Sequence, residues 1–447
     1  MKTLKELVAN SLLRTAIVVF LVTLTLYLAN LPYDFAKNME KGNPRRLVTS
    51  NDAVANIFLP YLLYKHHTFD YWQIKDEIKN YITDTAYYLV EVDEHYYPKY
   101  PVLSGLMAFP FYLPALILNK LPDLNTMRNV YKICVMGRIT ASIYASMSVA
   151  LFYLIIKRLE KKLPHISYQK YYKYILWLSV VAYAMGSNTY TISSRVLWQH
   201  TTAQFILSIS ILLFFYSFSK PRLIMWQGLL MGLMVLARPT NIMVAIPIAL
   251  FVFIYFRKQF LLFILAALPT VIFLALYNYF LYGSVTTEGY QLGDKLVFNT
   301  PIITGLAGLL LSPGKGFLFT MPLYFIGFYE MIKTLVHKSK DTLYVTLRFF
   351  AIAFLLALIL AAKWRAWEGG DRFGPGLVTD VLPIIAVFSY LTLVKVKSRV
   401  ILVLVTLLTV YSLLVHFNAV IFRKSRCSDE HSWTFYCLTP PREWPDY

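Results

Sequence analysis

The loop KRLEKKLPHISYQKYYK, residues 157–173, decides the fold. It carries six Lys/Arg against one Glu and follows a strongly apolar run at 130–156. Lys and Arg concentrate in the cytoplasmic loops of multi-pass membrane proteins, so this loop is expected inside. The N-terminus is expected inside as well, because Lys2, Lys5 and Arg14 precede or enter the first apolar run, 11–30. That run lacks a small-residue cleavage site and reads as a retained span. Both placements hold together only if the apolar segment between them, Pro101–Leu118, does not cross. Its Pro101, Pro110 and Pro114 are expected to interrupt a helix, and the segment reads as lying in the membrane interface.

The rest of the chain then falls into order. Further spans are expected near 171–187, 200–218, 223–237, 241–256, 260–281, 316–334, 345–362, 376–393 and 400–422, which makes eleven. The connections at 219–222, 257–259, 333–341 and 395–399 are short and basic, as cytoplasmic turns should be. Those at 31–129, 188–199, 238–240, 282–315 and 363–375 and the tail 423–447 are expected outside. They hold nearly all the remaining polar chemistry. Arg423, Lys424 and Arg426 run against that placement of the tail.

Composition agrees with this layout. The 447 residues are 57% hydrophobic and 15% charged, with a mean hydropathy of +0.53. Soluble domains sit near 45–50% apolar and about 25% charged, so a soluble globular protein is excluded. Aromatic residues at 16% exclude disorder. The expectation is one all-α polytopic membrane domain over residues 1–447. A net charge of +19 could suggest nucleic acid. The basic residues are split among short loops instead of forming a basic domain, so no nucleic-acid partner is expected. Three cysteines cannot build a disulfide scaffold. Cys134 lies in a span and reads as packing. Cys427 and Cys437 fit either a disulfide in an outer tail or two free thiols. No HExxH, paired Cys/His spacing or EF-hand loop occurs, so neither a metal nor another cofactor is expected.

Six outer segments carry candidate chemistry. Asp52 precedes an amphipathic stretch, 53–64, expected to lie on the membrane surface. It serves either a site facing the membrane or ordinary helix-start electrostatics. Residues 87–105 suggest a hairpin turning at Asp93-Glu94, followed by Lys99 and Tyr100. Lys99 is either a phosphate contact or an interfacial lysine reaching for water. Arg195, Trp198, Gln199 and His200 meet at the outer ends of two spans. Arg238 lies in an outer turn, against the positive-inside bias, and calls for an anionic partner. The loop 282–315 carries Glu288, Gly289 and Tyr290, then the turn Ser312-Pro-Gly-Lys-Gly316, which lacks the frame of a nucleotide-binding loop. Finally, KWRAWEGGDRFGPG, residues 363–376, brings Trp367, Glu368, Asp371 and Arg372 among glycines.

The strings SNDAVANIFLPYLLYKHHTFDY, HYYPKYPVLSGLMAFPFYLPAL, SSRVLWQH, GLMVLARPTN, LLLSPGKGFLFTMPL and the GGDRFGPG run resemble a type of bacterial membrane protein in the GT-C superfamily of glycosyltransferases. That superfamily includes the protein O-mannosyltransferases and the lipid A aminoarabinose transferases. The resemblance spans about residues 50–385 and rests on order and spacing, since each string is weak alone. It implies a GT-C-like fold with interfacial helices in the first external loop. It also implies a sugar donor carried on polyprenyl phosphate and a catalytic acidic residue at the position of Asp52. The protein mannosyltransferases have paired acidic residues there, whereas Asn51 precedes Asp52 here. The expected activity is inverting transfer to an acceptor hydroxyl on a glycan, lipid or protein, at the external face of the plasma membrane. Asp52 would act as general base. Lys99, Arg238, Arg372 and Arg195 would hold the donor phosphate. Tyr100, Trp198, Gln199, His200, Tyr290, Trp367, Glu368 and Asp371 would contact substrate. A ligase using a diphosphate-linked glycan and a lipid transporter without chemistry are the competing readings.

Overall fold

The computed structural model describes residues 11–29, 31, 50–81, 88–121, 123–293, 297–370, 372–421, 432–435 and 438. Asp371, Cys427, Cys437 and the basic residues 423, 424 and 426 lie outside them. The described residues are mainly helical, with one small hairpin among them.

The helices are α1 (Ser11–Leu28), α2 (Val54–His66), α3 (Lys75–Tyr81), α4 (Leu103–Ile117), α5 (Met127–Lys162), α6 (Tyr172–Met185), α7 (Gln199–Ser217), α8 (Met225–Ala237) and α9 (Ile242–Tyr255). They continue with α10 (Arg257–Tyr282), α11 (Gly289–Gly293), α12 (Ile302–Leu311), α13 (Phe317–Thr320), α14 (Pro322–Val336), α15 (Thr342–Lys363), α16 (Leu382–Leu393) and α17 (Arg399–Ile421). Strands β1 (Leu89–Val92) and β2 (His95–Pro98) pair antiparallel between α3 and α4. The hairpin turns at Asp93-Glu94, as the sequence suggested, and both residues take positive φ.

Among the described residues, seven helices are long and apolar enough to cross a membrane: α1, α5, α7, α10, α15, α17 and the joined segment Gly376–Leu393. All seven fall on expected spans. The other four expected spans, at 171–187, 223–237, 241–256 and 316–334, form shorter helices. Fourteen residues of α-helix reach only about 21 Å, short of the roughly 30 Å hydrocarbon core. Short 3-10 turns, Pro221–Ile224 and Pro239–Asn241, extend α8 and α9. Each begins at a proline, which has no N–H to lose at a helix start.

Two expectations for the first loop are corrected. Pro110 and Pro114 do not interrupt their segment, because α4 runs through both. Neighbouring groups can satisfy the backbone that a proline frees. Separately, the Tyr144 hydroxyl of α5 donates to the Met107 carbonyl at 2.6 Å and ties α4 to α5. The helix after Asp52 is not a surface helix, since every residue from Val54 to Leu62 is buried. It packs against α4 and α5. Asn56 fastens the first pair, donating to the Pro101 carbonyl (3.0 Å) and accepting from the Gly105 N–H (2.8 Å).

Small residues let other helices approach closely. A Cβ on Gly228 would lie 1.8 Å from the Phe263 carbonyl oxygen, and one on Gly232 would lie 1.9 Å from Thr270 Oγ1. The spacing Gly228-xxx-Gly232 therefore seats α8 directly on α10. The largest apolar core runs through α5, α7, α8, α14, α15 and α16. A second core lies under the first loop and joins α2, α4 and the N-terminal half of α5.

Candidate functional site

The polar ends of several helices converge at one end of this bundle. Asp52 stands in the 3-10 turn Asn51–Ala53 that leads into α2. Arg372 arrives on the loop between α15 and α16, and its Nη2 donates to Asp52 Oδ2 at 2.8 Å. The two side chains keep 19% and 17% of their surface exposed, so the pair stays open to a ligand. The Arg372 guanidinium carbon also lies over the Trp198 ring, 3.6 Å from its centroid. Burial pulls this guanidinium below its ordinary value, and Asp52 pulls it back up.

The network continues through His200, in the first turn of α7. Arg372 Nη1 lies 3.3 Å from His200 Nε2. A guanidinium can only donate, so Nε2 accepts and the ring proton sits on Nδ1. That Nδ1–H donates to the buried carboxylate of Asp380. Asp380 Oδ2 in turn lies 3.4 Å from Arg238 Nη1, which also donates to the Leu377 carbonyl at 3.0 Å. Carboxylate and arginine thus alternate around a neutral histidine: Asp52, Arg372, His200, Asp380, Arg238.

Lys315, from the turn 312–316, holds the loop that presents Arg372. It is fully buried, and its Nζ donates to the carbonyls of Gly370 and Arg372, the latter at 2.6 Å. Gly369, Gly370 and Gly374 take positive φ around it, a conformation that side chains other than glycine rarely adopt.

Two pockets open beside the network. The first encloses about 740 Å³ counting its open mouth. Its lining includes the polar side chains of Arg238, Asp380, Glu288 and Tyr290 and the apolar side chains of Phe298, Ala357, Leu360, Ala361 and Trp364. The second encloses about 370 Å³ on the same basis and is lined by Lys99, Tyr100, Tyr277, Asn278, Tyr282 and Gly289 among others. Pro239, Glu288 and Tyr290 line both. Tyr290 stands edge-on to Tyr100, with ring centroids 4.9 Å apart, and its hydroxyl lies 3.4 Å from Gln199 Oε1. Burial pushes that hydroxyl up to about 12. Burial also pushes the Glu288 carboxyl above its ordinary value.

Of the residues proposed from sequence, Asp52, Trp198, Gln199, His200, Arg238, Tyr290 and Arg372 meet here. Lys99 and Tyr100 lie along the second pocket. Others take different places. Arg195 is buried, and its carbonyl accepts from Arg138 (3.0 Å). Trp367 is buried against α12, where a Cβ on Gly308 would lie 2.2 Å from its ring. Glu368 is half-buried and lines neither pocket. Asp371 lies outside the described residues. Asp380 and Lys315 were not anticipated. A signal for Asp380 existed: it is the one acidic residue in the apolar run 376–393, and an ionisable group in such a run usually serves a site. Among the described residues, no three His, Cys, Asp or Glu side chains gather as a metal would require.

No known family, curated protein or solved structure matches the chain.

Proposed function

We propose that the protein is a GT-C-type glycosyltransferase moving a sugar from a polyprenyl-phosphate donor to an acceptor hydroxyl. In this reading the chain crosses the plasma membrane eleven times, with its N-terminus cytoplasmic and the site external. One observation supports it above the others. The first pocket is lined both by the charged Arg238 and Asp380 and by the apolar Ala357, Leu360 and Ala361 of α15. A ligand with an anionic head and a hydrocarbon tail suits such a cavity.

The chemistry follows from the charges. Two arginines oppose two carboxylates with a neutral histidine between them, so the resting network is balanced. A phosphate reaching the arginines must displace a carboxylate. Asp380 is buried and held by His200, whereas Asp52 is the more exposed of the two. Asp52 therefore yields, and its carboxylate becomes available to the acceptor. The acceptor oxygen bonds to the anomeric carbon and its proton passes to Asp52 as general base. The bond from that carbon to the phosphate oxygen breaks, with the electron pair leaving on the phosphate. Arg372 and Arg238 stabilise the charge that grows there. A single displacement of this kind inverts the anomeric centre.

The test uses full-length protein in nanodiscs, given radiolabelled sugar on polyprenyl monophosphate or on polyprenyl diphosphate. A glycosidic product from the monophosphate donor is expected. Product from the diphosphate donor alone would indicate a ligase. Lipid movement between leaflets with no covalent product would indicate a transporter. Arg238→Ala should weaken polyprenyl-phosphate binding at least about tenfold, since charge-assisted hydrogen bonds contribute about 1.5–3 kcal/mol. Unchanged binding by that variant would remove the first pocket from the donor role.

A further inference from the structure

Arg372 stands on a loop that does not fix itself. Gly369, Gly370 and Gly374 around it take positive φ, and glycine has more conformational freedom to lose than any other residue. A functional side chain must nevertheless be held within about 0.5 Å, a task that falls to its supporting groups. Here the support acts on the backbone of Arg372 itself. Its N–H donates to the Gly370 carbonyl at 2.8 Å, a tight turn, and the Lys315 ammonium donates to the carbonyls of both residues. Lys315 is fully buried, and burying an ammonium costs stability that its hydrogen bonds must offset.

Lys315 is itself braced from two sides. Its own N–H donates to the Ser312 hydroxyl at 3.2 Å, and the Gly316 N–H donates to the Ser312 carbonyl at 2.8 Å, which closes the turn 312–316. A Cβ on Gly316 would lie 2.6 Å from the Ser312 nitrogen, so the turn is packed tightly on itself. On its other side sits the tail segment 432–435. The Gly314 N–H donates to the carbonyl of the buried Ser432 at 3.0 Å. The next tail residue, Trp433, meets Trp367 on the loop that carries Arg372, with ring centroids 5.9 Å apart. Phe435 stands edge-on to Phe319 of α13 at 5.4 Å. One short stretch of tail thus touches both the turn that holds Arg372 and the loop that presents it.

We propose that the turn 312–316 and the tail segment 432–435 form a positioning device for Arg372, with Lys315 as its positioning residue. Together they set where the guanidinium stands. Arg372 Nη2 meets Asp52 at 2.8 Å while the guanidinium carbon lies 3.6 Å from the centroid of the Trp198 ring. Both contacts depend on one stretch of backbone, so a shift of the loop disturbs them together. Only in its effect on turnover does the proposal rest on the transferase reading.

The experiment reads the position of Arg372 through the ring beneath it. Full-length protein carrying fluorotryptophan is placed in nanodiscs, and its Trp198 resonance is assigned with Trp198→Phe and followed by fluorine NMR. Arg372→Ala marks where that resonance moves when the guanidinium is gone. Lys315→Met should move it the same way, and Trp433→Ala should move it part of the way. Trp433 is 53% exposed, so its substitution decides the matter even where Lys315→Met fails to fold. Turnover should fall about tenfold to a hundredfold in Lys315→Met, the scale of a small misplacement. It should fall no further when Lys315→Met is added to Arg372→Ala, because both changes act through one group. A Trp198 resonance unmoved by a folded Lys315→Met, or by Trp433→Ala, overturns the proposal. So does an equal loss of turnover from Lys315→Met with and without the arginine. A moving resonance in a protein that transfers no sugar would keep this device and end the transferase reading. Transfer with an unmoved resonance would do the reverse.

Discussion

At the C-terminal end of α16 charges are paired one to one; at its N-terminal end they share partners and open onto a cavity. Lys395 pairs with Glu330 at 2.7 Å, joining the end of α16 to α14. The Tyr390 hydroxyl donates to Glu160 Oε1 at 3.1 Å, and Glu160 also pairs with Lys157 three residues before it. These contacts fasten α16 to α14 and α5. At the other end, Asp380 serves both His200 and Arg238, while Arg372 serves both His200 and Asp52. Both ends hold buried carboxylates. What separates a fastening from a candidate site is whether a ligand can enter the set of partners.

The sharpest way to break this comparison is Asp52→Asn. Under the proposed mechanism, loss of the general base should lower turnover about 10²–10⁴-fold, and the change in thermal midpoint should be small because Asp52 is partly exposed. Radiolabelled transfer and a melting curve, run on the same preparation, check both halves. A variant that turns over normally, or that fails to fold, puts Asp52 with the fastenings. Arg372→Lys should follow, with turnover down about tenfold to a hundredfold. Lysine keeps the charge but lacks the planar fork that lets Arg372 contact Asp52 and His200 together from over the Trp198 ring. Wild-type turnover in this variant would mean that charge alone suffices.

The fastening end should respond in the opposite sense. Tyr390→Phe removes the hydroxyl that serves the buried Glu160 and should cost about 1–3 kcal/mol of stability. It should leave turnover unchanged, read by the same pair of assays. A loss of turnover at unchanged stability would couple the two ends.

The smallest effect belongs to the contact beside the hairpin between the exposed His95 and the largely buried Asp70. Burial alone would raise the Asp70 carboxyl. Donors from the Trp72 N–H, His95 and the Tyr96 N–H outweigh that and hold it below its ordinary value. Its stabilising contribution is therefore present above the ordinary carboxylate range, near pH 4, and is lost as pH falls through the depressed value. Asp70→Asn should flatten the acid side of the melting profile by less than about 1 kcal/mol. An unchanged profile would show that the pairing contributes nothing measurable.

Much of the fold could be read along the chain. Apolar runs long enough for a bilayer mark α1, α5, α7, α10, α15, α17 and Gly376–Leu393, because each span satisfies its own backbone and must be apolar over its own length. The same local logic brought out Asp52, His200, Arg238 and Arg372, which interrupt apolar surroundings or sit at their edges. It failed where neighbours decide. The expected break at Pro110 and Pro114 is absent in α4, which packs against α2 and α5, and the expected surface helix α2 is buried between these partners.

The sequence by itself determined a helical membrane protein and a short set of candidate charges. Length and hydropathy are properties of single segments, so no partner is needed to read them. Only the tertiary structure decided which charges meet. Asp52 and Arg372 are 320 residues apart, and His200 and Asp380 are 180 apart. No local rule relates such positions; helix packing brings them together. The same packing left Trp367 in the core and made Glu288 and Tyr290 the wall between two pockets. A pocket is the space between segments, and for that reason it has no signature in any one of them.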